Sequence, residues 1–395
     1  MKVLMINSVC GIRSTGRICT DLAQELEKQG HKVKIAYGRE NVPKEFQKYA
    51  IRIGNDIDIK IHGLKARLFD QSGFGSKRAT KKFIKWVKEY NPDIIHLHNL
   101  HGYYINIKVL FDYLKKSNKK VIWTLHDCWS FTGHCAYFDY VGCNKWKKGC
   151  RFCPQRKEYP KSFIDFSNRN WKKKKKIFSG VKNLTIITPS NWLANIVKES
   201  FLSNYSVKVI HNGIDTNIFK PTKSDITKKY GIEDKKVVLG VAAVWDRRKG
   251  LKYMLELASQ LDDSYKVVII GVTEKQRKHL PKNIIGISST NNIKELVEWY
   301  SSAEVYVNTT LEDNYPTTNL EAIACGTPVI TFDTGGSPES ATYFGYVIRR
   351  NNVKLILEAI HIQLENKVDI NEISQKATCK LYLQLYQQSG GIKYD

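Results

Sequence analysis

The 395-residue sequence contains no apolar run long enough to span a bilayer, no internal repeat and no low-complexity linker. Its first residues (MKVLMIN) lack the apolar core and the small-residue cleavage site of a signal peptide, and they are typical of a buried first strand. These absences argue against an integral membrane protein, a repeat protein and a secreted protein. We therefore expect a cytoplasmic globular protein, and the length favours two domains over one.

Acidic residues are scarce in the first half of the chain. Residues 1–200 carry 39 Lys and Arg but only 16 Asp and Glu, a net charge of +23, whereas the remaining 195 residues carry 24 against 22, a net charge of +2. The first half should therefore attract a polyanion or an anionic surface, such as nucleic acid, an acidic lipid leaflet or a pyrophosphate-linked lipid. A lysine-rich surface that serves only solubility is the alternative.

Short apolar runs alternate with amphipathic stretches along the chain, which is the pattern of βαβ units and a parallel sheet. The predicted strands are Val3–Ile6, Lys32–Tyr37, Asp93–His98, Lys120–Leu125, Leu184–Thr188, Lys236–Ala242, Lys266–Ile270, Val305–Asn308 and Pro328–Thr331. The predicted helices are Arg17–Gln29, Ala79–Tyr90, Lys108–Lys116, a basic helix around Trp171, Trp192–Ser200, Leu251–Leu261, Ile293–Tyr300, Asn319–Ala324 and Val353–Glu365.

This order predicts an α/β protein of two Rossmann-like, doubly wound domains that face each other across a cleft. We place the first domain at residues 1–210 and the second at 211–375, and we expect a C-terminal helix in 376–395 that crosses back to the first domain. Ligands in such sheets bind at the carboxyl ends of the strands.

The loop Gly11–Arg17 (GIRSTGR) joins the first predicted strand to the first predicted helix. Gly16 would let a ligand approach the backbone, and the helix N-terminus offers free N–H groups to an anion, so we predict a ligand contact at Gly16. A purely structural turn is the alternative. The loop is not the GxGxxG fingerprint, and no acidic ribose-binding residue follows at the expected distance, which disfavours a nicotinamide-dependent dehydrogenase.

The strongest chemical signal lies between Asn308 and Gly336 (NTTLEDNYPTTNLEAIACGTPVITFDTGG). A strand ends there in an acidic loop, Glu312–Asp313, and a helix that carries Glu321 starts near Thr317. The N-terminus of that helix can bind phosphate, while the carboxylates can accept hydrogen bonds from sugar and ribose hydroxyls. A solvated acidic loop is the alternative.

This segment resembles the acidic-x7-Glu signature of the retaining glycosyltransferases of the GT-B fold, family 4. Four further segments resemble the same family in the same order: TPSNWLA (Thr188–Ala194), HNGIDTNIFKP (His211–Pro221), RKG (Arg248–Gly250) and EAIACGTPVI (Glu321–Ile330). The likeness covers most of the chain and thins after about residue 345. It implies transfer of a sugar from a nucleotide-sugar donor to an acceptor, with retention of configuration and without a catalytic metal.

The resemblance also implies roles for individual residues in the second domain. Asp313 would hold donor-sugar hydroxyls, with Glu312 as the alternative carboxylate, and Glu321 would bind the ribose. Lys249 would meet the donor diphosphate, and Arg248 or Arg247 would replace the arginine that the family usually has at the position of Val244. The backbone that would approach the sugar or phosphate is that of Asn314, Tyr315, Pro316, Thr317 and Thr318.

Two predicted strand ends of the first domain carry candidate site residues. His126 follows the strand Lys120–Leu125 and resembles the family histidine that contacts the donor sugar near the reacting carbon; a histidine that caps the core is the alternative. His98, Asn99 and His101 follow another strand and would line the acceptor side. In the resemblance the donor phosphate itself assists deprotonation of the acceptor.

Five of the nine cysteines fall between Cys128 and Cys153. Four of them have the spacing C-x7-C-x6-C-x2-C, which four thiolates of a tetrahedral structural zinc site could adopt. Free thiols without a joint role are the equal alternative, and disulfides are the less expected use in a cytoplasmic protein. The four candidate ligands are Cys135, Cys143, Cys150 and Cys153.

The function predicted from these patterns is transfer of a sugar to a glycan or lipid-linked glycan, as in bacterial capsule or lipopolysaccharide biosynthesis. The basic first domain, with its run Lys172–Lys176, predicts peripheral contact with an anionic membrane surface. A sugar-nucleotide epimerase or hydrolase of the same fold is the alternative enzyme. A nucleic-acid-binding protein is disfavoured, because the basic residues lack interleaved aromatic residues or a recognition helix.

Overall fold

The computed structural model describes residues 1–290, 292–362 and 368–388. The chain forms two compact units. The first comprises Met1–His211 together with the segment that begins at Cys379, and the second comprises Asn212–Thr378. We refer to them as the first and second domains.

The first domain contains a seven-stranded parallel sheet in the order β3-β2-β1-β4-β5-β6-β7. Helices cover both faces, so the central strands are mostly apolar, and Val3–Ile6 is fully buried. The direction of strand order reverses between β1 and β4. The strands are β1 (Lys2–Ile6), β2 (Lys32–Tyr37), β3 (Ala50–Arg52), β4 (Ile94–Leu97), β5 (Lys120–Thr124), β6 (Leu184–Thr188) and β7 (Ser206–Val209).

The second domain repeats this arrangement with a six-stranded parallel sheet in the order β10-β9-β8-β11-β12-β13. Here the strand order reverses between β8 and β11. The strands are β8 (Lys236–Val241), β9 (Tyr265–Ile270), β10 (Ile284–Ile287), β11 (Val305–Asn308), β12 (Val329–Phe332) and β13 (Gly345–Ile348).

The helices of both domains lie between successive strands or follow them. Those of the first domain are α1 (Arg13–Lys28), α2 (Asp56–Phe69), α3 (Lys77–Tyr90), α4 (Ile107–Leu114), α5 (Ser167–Phe178) and α6 (Asn191–Glu199). Those of the second are α7 (Ile226–Lys229), α8 (Leu251–Ala258), α9 (Glu274–Arg277), α10 (Ile293–Ser302), α11 (Thr317–Ala324), α12 (Ser337–Ala341) and α13 (Val353–Ile360). Within the described ranges, none of the helices has both the length and the apolar character that crossing a membrane requires.

The final helix, α14 (Gln375–Gln387), starts in the second domain, and from Cys379 onward it belongs to the first. Two of its tyrosines are buried against the first sheet: Tyr386 contacts His96 Nδ1 through its hydroxyl at 2.6 Å, and the Tyr382 hydroxyl lies 2.9 Å from Thr124 Oγ1. The last part of the predicted C-terminal segment, residues 389–395, lies outside the described residues, as do residues 363–365 of the predicted helix Val353–Glu365.

One local prediction was wrong, and one helix was not predicted. The loop expected over Gly11–Arg17 is shorter. Gly11 (φ +73°) and Arg13 (φ +57°) adopt left-handed backbone and α1 begins at Arg13, which places Gly16 inside the helix. Helix α2 is not among the predicted elements; its first residues (DIDIKI) alternate between polar and apolar as a strand does. The cysteine-rich segment 128–155 contains two 3-10 turns, Asp139–Val141 and Lys145–Lys147.

Candidate active site

The predicted donor residues of the second domain follow the two strands at which the sheet order reverses. Arg248 and Lys249 come after β8, and Glu312 and Asp313 come after β11, which is hydrogen-bonded to β8. Carboxyl ends of parallel strands meet at one edge of a sheet, and the reversal opens a crevice between them. The fold therefore brings residues that are 64 positions apart in sequence together at the place where such sheets bind ligands.

Asp313 is the centre of an ionic cluster at this edge. Its Oδ2 atom lies 2.7 Å from Lys249 Nζ and 3.4 Å from Arg248 Nη1, and the same Nη1 donates to the backbone oxygen of Glu312 at 2.6 Å. Burial alone would raise the pKa of Asp313, but the two cations outweigh burial and lower it. The carboxylate is thus held ionised at neutral pH, with two cations beside it.

Glycines allow the loops around Asp313 to approach each other closely. A Cβ atom on Gly250, whose φ is +76°, would lie 2.2 Å from the backbone oxygen of Thr309, and one on Gly335 would lie 2.1 Å from that of Asp313. Backbone hydrogen bonds join the same loops, from Leu311 N to Arg248 O at 2.7 Å and from Gly336 N to Asp313 O at 2.8 Å. The position of the Asp313 carboxylate is therefore fixed by backbone packing.

The structure distinguishes the two carboxylates that the sequence leaves as alternatives. The side chain of Glu312 is fully buried, whereas 20% of the Asp313 side chain is exposed. A buried carboxylate cannot accept a hydrogen bond from a sugar hydroxyl unless the loop moves. The arrangement therefore favours Asp313 over Glu312 as the group that faces a ligand.

Helix α11 supplies the remaining predicted donor residues. It begins at Thr317 after Pro316, whose side chain offers no cap, and the Asn319 N–H donates to the Pro316 backbone oxygen at 3.2 Å. The N-terminus of a helix favours an anion. Thr317, Thr318 and Glu321 are partly exposed, and Glu321 Oε2 accepts a hydrogen bond from Tyr300 at 3.0 Å. Asn314, Tyr315 and Pro316 are buried beneath the loop. Tyr300, on α10, was missed because no local pattern links it to Glu321.

A buried asparagine bridge fastens α11 to its strand. Asn308 Nδ2 donates to Asn319 Oδ1 at 2.8 Å, and Asn319 Nδ2 donates to Ser340 Oγ at 2.8 Å. Because Asn319 lies between Thr318 and Glu321 along the chain, this bridge sets the position of the helix that carries them. Both asparagines are buried, so the bridge is a positioning device.

The first domain presents histidines at the equivalent edge of its own sheet. His98 follows β4 and His126 follows β5, and their rings stack at 5.3 Å with His98 Nδ1 3.0 Å from His126 Nε2. Burial lowers the pKa of His126 to about 4, despite the opposing effect of Asp127, and it lowers the pKa of His98 as well. Both imidazoles are therefore neutral at physiological pH.

His101 takes part in a second polar group that sequence reasoning identified only in part. Its Nε2 lies 2.6 Å from Asp127 Oδ2 and its Nδ1 lies 2.9 Å from the Tyr159 hydroxyl. Asp127 could have been predicted as part of this site, because it directly follows His126 in the sequence. Tyr159 could not, because it is 58 residues from His101 in the sequence. The backbone N–H of Asn99 donates to Asn7 Oδ1 at 3.2 Å, which ties the predicted acceptor side to the end of β1.

Gly16 lies in α1, where a Cβ atom would meet Val9 Cγ2 at 3.1 Å and the Gly11 nitrogen at 3.2 Å. The Gly11 N–H group donates to the Gly16 backbone oxygen at 3.2 Å. Close packing alone therefore explains why residue 16 is a glycine. A contact of Gly16 with the donor stays a prediction.

The four cysteines of the predicted zinc site lie in one part of the first domain as free thiols. A hydrogen bond with Cys135 is the main cause that lowers the pKa of Cys153 to about 7, whereas burial raises the pKa of Cys150 to about 12. Across the described ranges, no group of three or more His, Cys, Asp or Glu side chains is arranged so that it could hold a metal ion. A zinc site at Cys135, Cys143, Cys150 and Cys153 stays a prediction, as does its alternative of free thiols.

The two parallel sheets, each with candidate ligand-binding residues at the carboxyl ends of its strands, fit a two-domain enzyme. Comparison with known proteins identifies its family. Residues 15–218 match the family described as Glycosyltransferase Family 4, and residues 222–379 match Glycosyl transferases group 1. The protein belongs to this family of glycosyltransferases, and its fold is the predicted two-domain α/β fold of the GT-B type.

The relatives include WcaC of Escherichia coli (strain K12), a protein named as a glycosyl transferase of colanic acid biosynthesis. It is 26% identical over 381 residues, which cover 92% of this chain and 89% of WcaC. Sucrose-phosphate synthase from Thermosynechococcus elongatus has a similar structure, with a TM-score of 0.73, 15% identity and 98% coverage of each chain. Anabaena HepE in complex with UDP-glucose has a TM-score of 0.61 at 15% identity, over 98% of each chain. At these identities, the structural likeness shows the fold alone.

Proposed function

We propose that the protein transfers a sugar, with retention of configuration, from a nucleotide-sugar donor to a glycan or lipid-linked glycan in polysaccharide biosynthesis. The observation that carries this proposal is the cluster of Asp313, Lys249 and Arg248 beside the N-terminus of α11. It combines a carboxylate for hydroxyl groups, two cations for a diphosphate and the positive end of a helix dipole for phosphate oxygens. Glu321, partly exposed on the same helix, supplies a second carboxylate for the ribose.

The proposed reaction breaks the bond between the anomeric carbon and the diphosphate oxygen and forms a bond from that carbon to an acceptor hydroxyl oxygen. The hydroxyl proton passes to the departing diphosphate, which the family resemblance assigns as the base. Negative charge develops on the diphosphate as the bond breaks, and fixed cations stabilise it. Lys249 and Arg248 would supply the stabilising positive charge, because Asp313 holds both of them at the carboxyl edge of the sheet before the donor binds.

His126 is proposed to contact the donor sugar near the reacting carbon. A neutral imidazole can donate one hydrogen bond and accept another, and the low pKa of His126 keeps it neutral. A charged imidazolium at this place would repel the positive charge that develops on the sugar ring during transfer. The buried surroundings therefore match the proposed role.

The acceptor assignment is supported by the name of WcaC, which refers to colanic acid biosynthesis, and the donor assignment by the UDP-glucose complex of HepE. A growing surface glycan on a lipid carrier would be met at the cytoplasmic face of a membrane. The net charge of +23 in residues 1–200 suits contact with an anionic leaflet. We propose a peripheral location there.

A panel of uridine and guanosine nucleotide sugars in a thermal-shift assay tests the donor site. A ligand at 100 times its dissociation constant stabilises a protein by about 2.7 kcal/mol, which is readily measured. Transfer is tested by nucleotide release: we expect release that depends on an added glycan acceptor. Release without any acceptor would instead indicate the hydrolase or epimerase alternative.

A further inference from the structure

Helix α2 presents its apolar residues outward. Ile57, Ile61, Leu64 and Leu68 are spaced by four, three and four residues, so they form one stripe along the helix. Their exposed fractions are 67%, 49%, 58% and 36%. A surface helix of a globular protein normally turns such a stripe toward the core. In the described residues of α2, the fully buried side chains are instead His62 and Ala66.

The inward face of α2 is held by polar contacts, so the outward stripe is not a consequence of loose packing. The buried His62 Nε2 accepts hydrogen bonds from the backbone N–H groups of Gly73 and Gly75 at 3.1 Å each. Burial lowers the pKa of His62 to about 4, which leaves Nε2 able to accept both bonds. At the N-terminus, Asn55 and Asp58 form a capping box. The helix is thus fixed in this orientation.

Further exposed apolar residues continue the stripe beyond the C-terminus of α2. Phe163 is 63% exposed, and its backbone N–H donates to Arg67 O at 2.8 Å, next to Leu68. The Arg67 guanidinium lies 5.9 Å from the centre of the Phe163 ring. Ile164 and Phe69 are exposed nearby in the chain. We call the set Ile57, Ile61, Leu64, Leu68, Phe69, Phe163 and Ile164 the apolar strip.

Basic side chains border the apolar strip. Lys60 and Arg67 lie on one side of the α2 stripe and Lys65 on the other, and all three are exposed. The acidic residues of this helix are engaged at its N-terminus, where Asp56 pairs with Arg52 and Asp58 closes the capping box. Exposed apolar residues with a cationic border are the pattern of helices that lie in the interface of an anionic bilayer.

We infer that the apolar strip is the surface by which the first domain rests on an anionic lipid bilayer. Its apolar side chains would enter the boundary between headgroups and acyl chains, while the lysines and the arginine that border it would contact lipid phosphates. The apolar strip would be the membrane-facing surface of the proposed enzyme. This inference rests on the proposed function for the identity of the lipid-linked acceptor. A protein partner would not need the cationic border.

Vesicle co-sedimentation of the full chain tests this inference. We expect the wild-type protein to pellet with vesicles of phosphatidylglycerol and phosphatidylcholine but not with phosphatidylcholine alone. The double variant Ile61→Ser/Leu64→Ser should lower the partition coefficient at least about tenfold, because two apolar side chains leave the membrane. The matched control Ile293→Ser/Val347→Ser removes two exposed apolar side chains of the second domain and should pellet like the wild type.

The cationic border is tested separately. Lys60→Gln/Lys65→Gln should reduce binding to the anionic vesicles about tenfold or more at low salt. Lys81→Gln/Lys85→Gln removes the same charge from the exposed face of α3 and should have a clearly smaller effect. Because all these residues are exposed, each variant should keep the wild-type melting temperature. If Ile61→Ser/Leu64→Ser does not, Ile57→Ser/Leu68→Ser takes its place.

Several results would overturn the inference. They are wild-type protein that stays in the supernatant, equal pelleting of Ile61→Ser/Leu64→Ser and wild type, and a self-association that the same variant abolishes in the absence of vesicle binding. Stabilisation by nucleotide sugars is measured on the same samples. Its loss in every sample would contradict the proposed function while leaving the vesicle result intact, so the two failures are distinguishable.

Discussion

The two domains use the same edge of the same kind of sheet for different chemistry. The second places a carboxylate beside two cations at the ends of β8 and β11. The first places two neutral histidines, the buried His98 and the partly buried His126, at the ends of β4 and β5. A fixed ionic cluster suits a charged diphosphate, and neutral imidazoles suit an uncharged sugar. The fold alone therefore does not set the chemistry of this edge; the residues directly after the strands do.

The largest expected difference between the domains is in pH sensitivity. Burial lowers the pKa of His62 and His126 from 6.5 to about 4 and that of His96 to about 3, all in the first domain. As the pH is lowered, these histidines bind protons in the unfolded chain at a higher pH than in the folded one. The folded state therefore loses stability as the pH drops from about 6.5 toward 4. Between about pH 7 and pH 5, each of these histidines should lower the free energy of unfolding by on the order of 2 kcal/mol.

Hydrogen exchange followed by mass spectrometry checks this prediction, because it reports each domain separately. Peptides of the first sheet should lose protection at pH 5, after correction for intrinsic exchange, while those of the second sheet change little. In the described residues of the second domain, His279 and His361 show no comparable burial. An equal loss of protection in both domains would contradict the assignment of the effect to the buried histidines.

The next largest effect should come from Lys249, whose ammonium contacts Asp313 at 2.7 Å. Lys249→Ala removes a cation from the proposed diphosphate position and should lower kcat/KM about 100- to 1000-fold, with weaker donor binding. Lys252→Ala, on the exposed side of α8, is the matched control and should retain wild-type kinetics. Steady-state kinetics with a saturating acceptor measures both, and equal rates for the two variants would refute the role of Lys249.

Asp313→Asn should mainly slow transfer, since the amide keeps the shape but loses the charge that orients Lys249 and Arg248. We expect kcat to fall about 100-fold with a smaller change in donor affinity. Asp333→Asn changes an exposed carboxylate of the same domain and serves as the control. A fall in donor affinity without a fall in kcat would move Asp313 from the reaction to binding.

Glu321→Ala should have the smallest effect of the four, because a ribose contact is present in substrate and transition state alike. We expect donor affinity to weaken about tenfold while kcat stays near the wild-type value. The control is Glu358→Ala on the exposed face of α13. Titration of the nucleotide alone, without the sugar, should show the same loss; an unaltered nucleotide affinity would argue against a ribose contact.

Much of the sheet structure was predictable, because fully buried parallel strands appear as short apolar runs such as Leu184–Thr188, whose bounds the structure reproduces. Helix α2 was not, because its apolar residues face solvent and its first six residues alternate as in a strand. The choice between Asp313 and Glu312 depends on which side chain the loop buries, which spacing alone does not specify. Tyr300 and Tyr159 join their partners only through tertiary folding.

The most direct test of the account is a thermal-shift comparison of the wild type, Lys249→Ala and Lys252→Ala with a panel of nucleotide sugars. The account predicts that at least one nucleotide sugar stabilises the wild type and Lys252→Ala, by about 2.7 kcal/mol at 100 times its dissociation constant, but not Lys249→Ala. If no nucleotide sugar stabilised the wild type, or if Lys249→Ala were stabilised equally, the proposed donor site in the second domain would be contradicted.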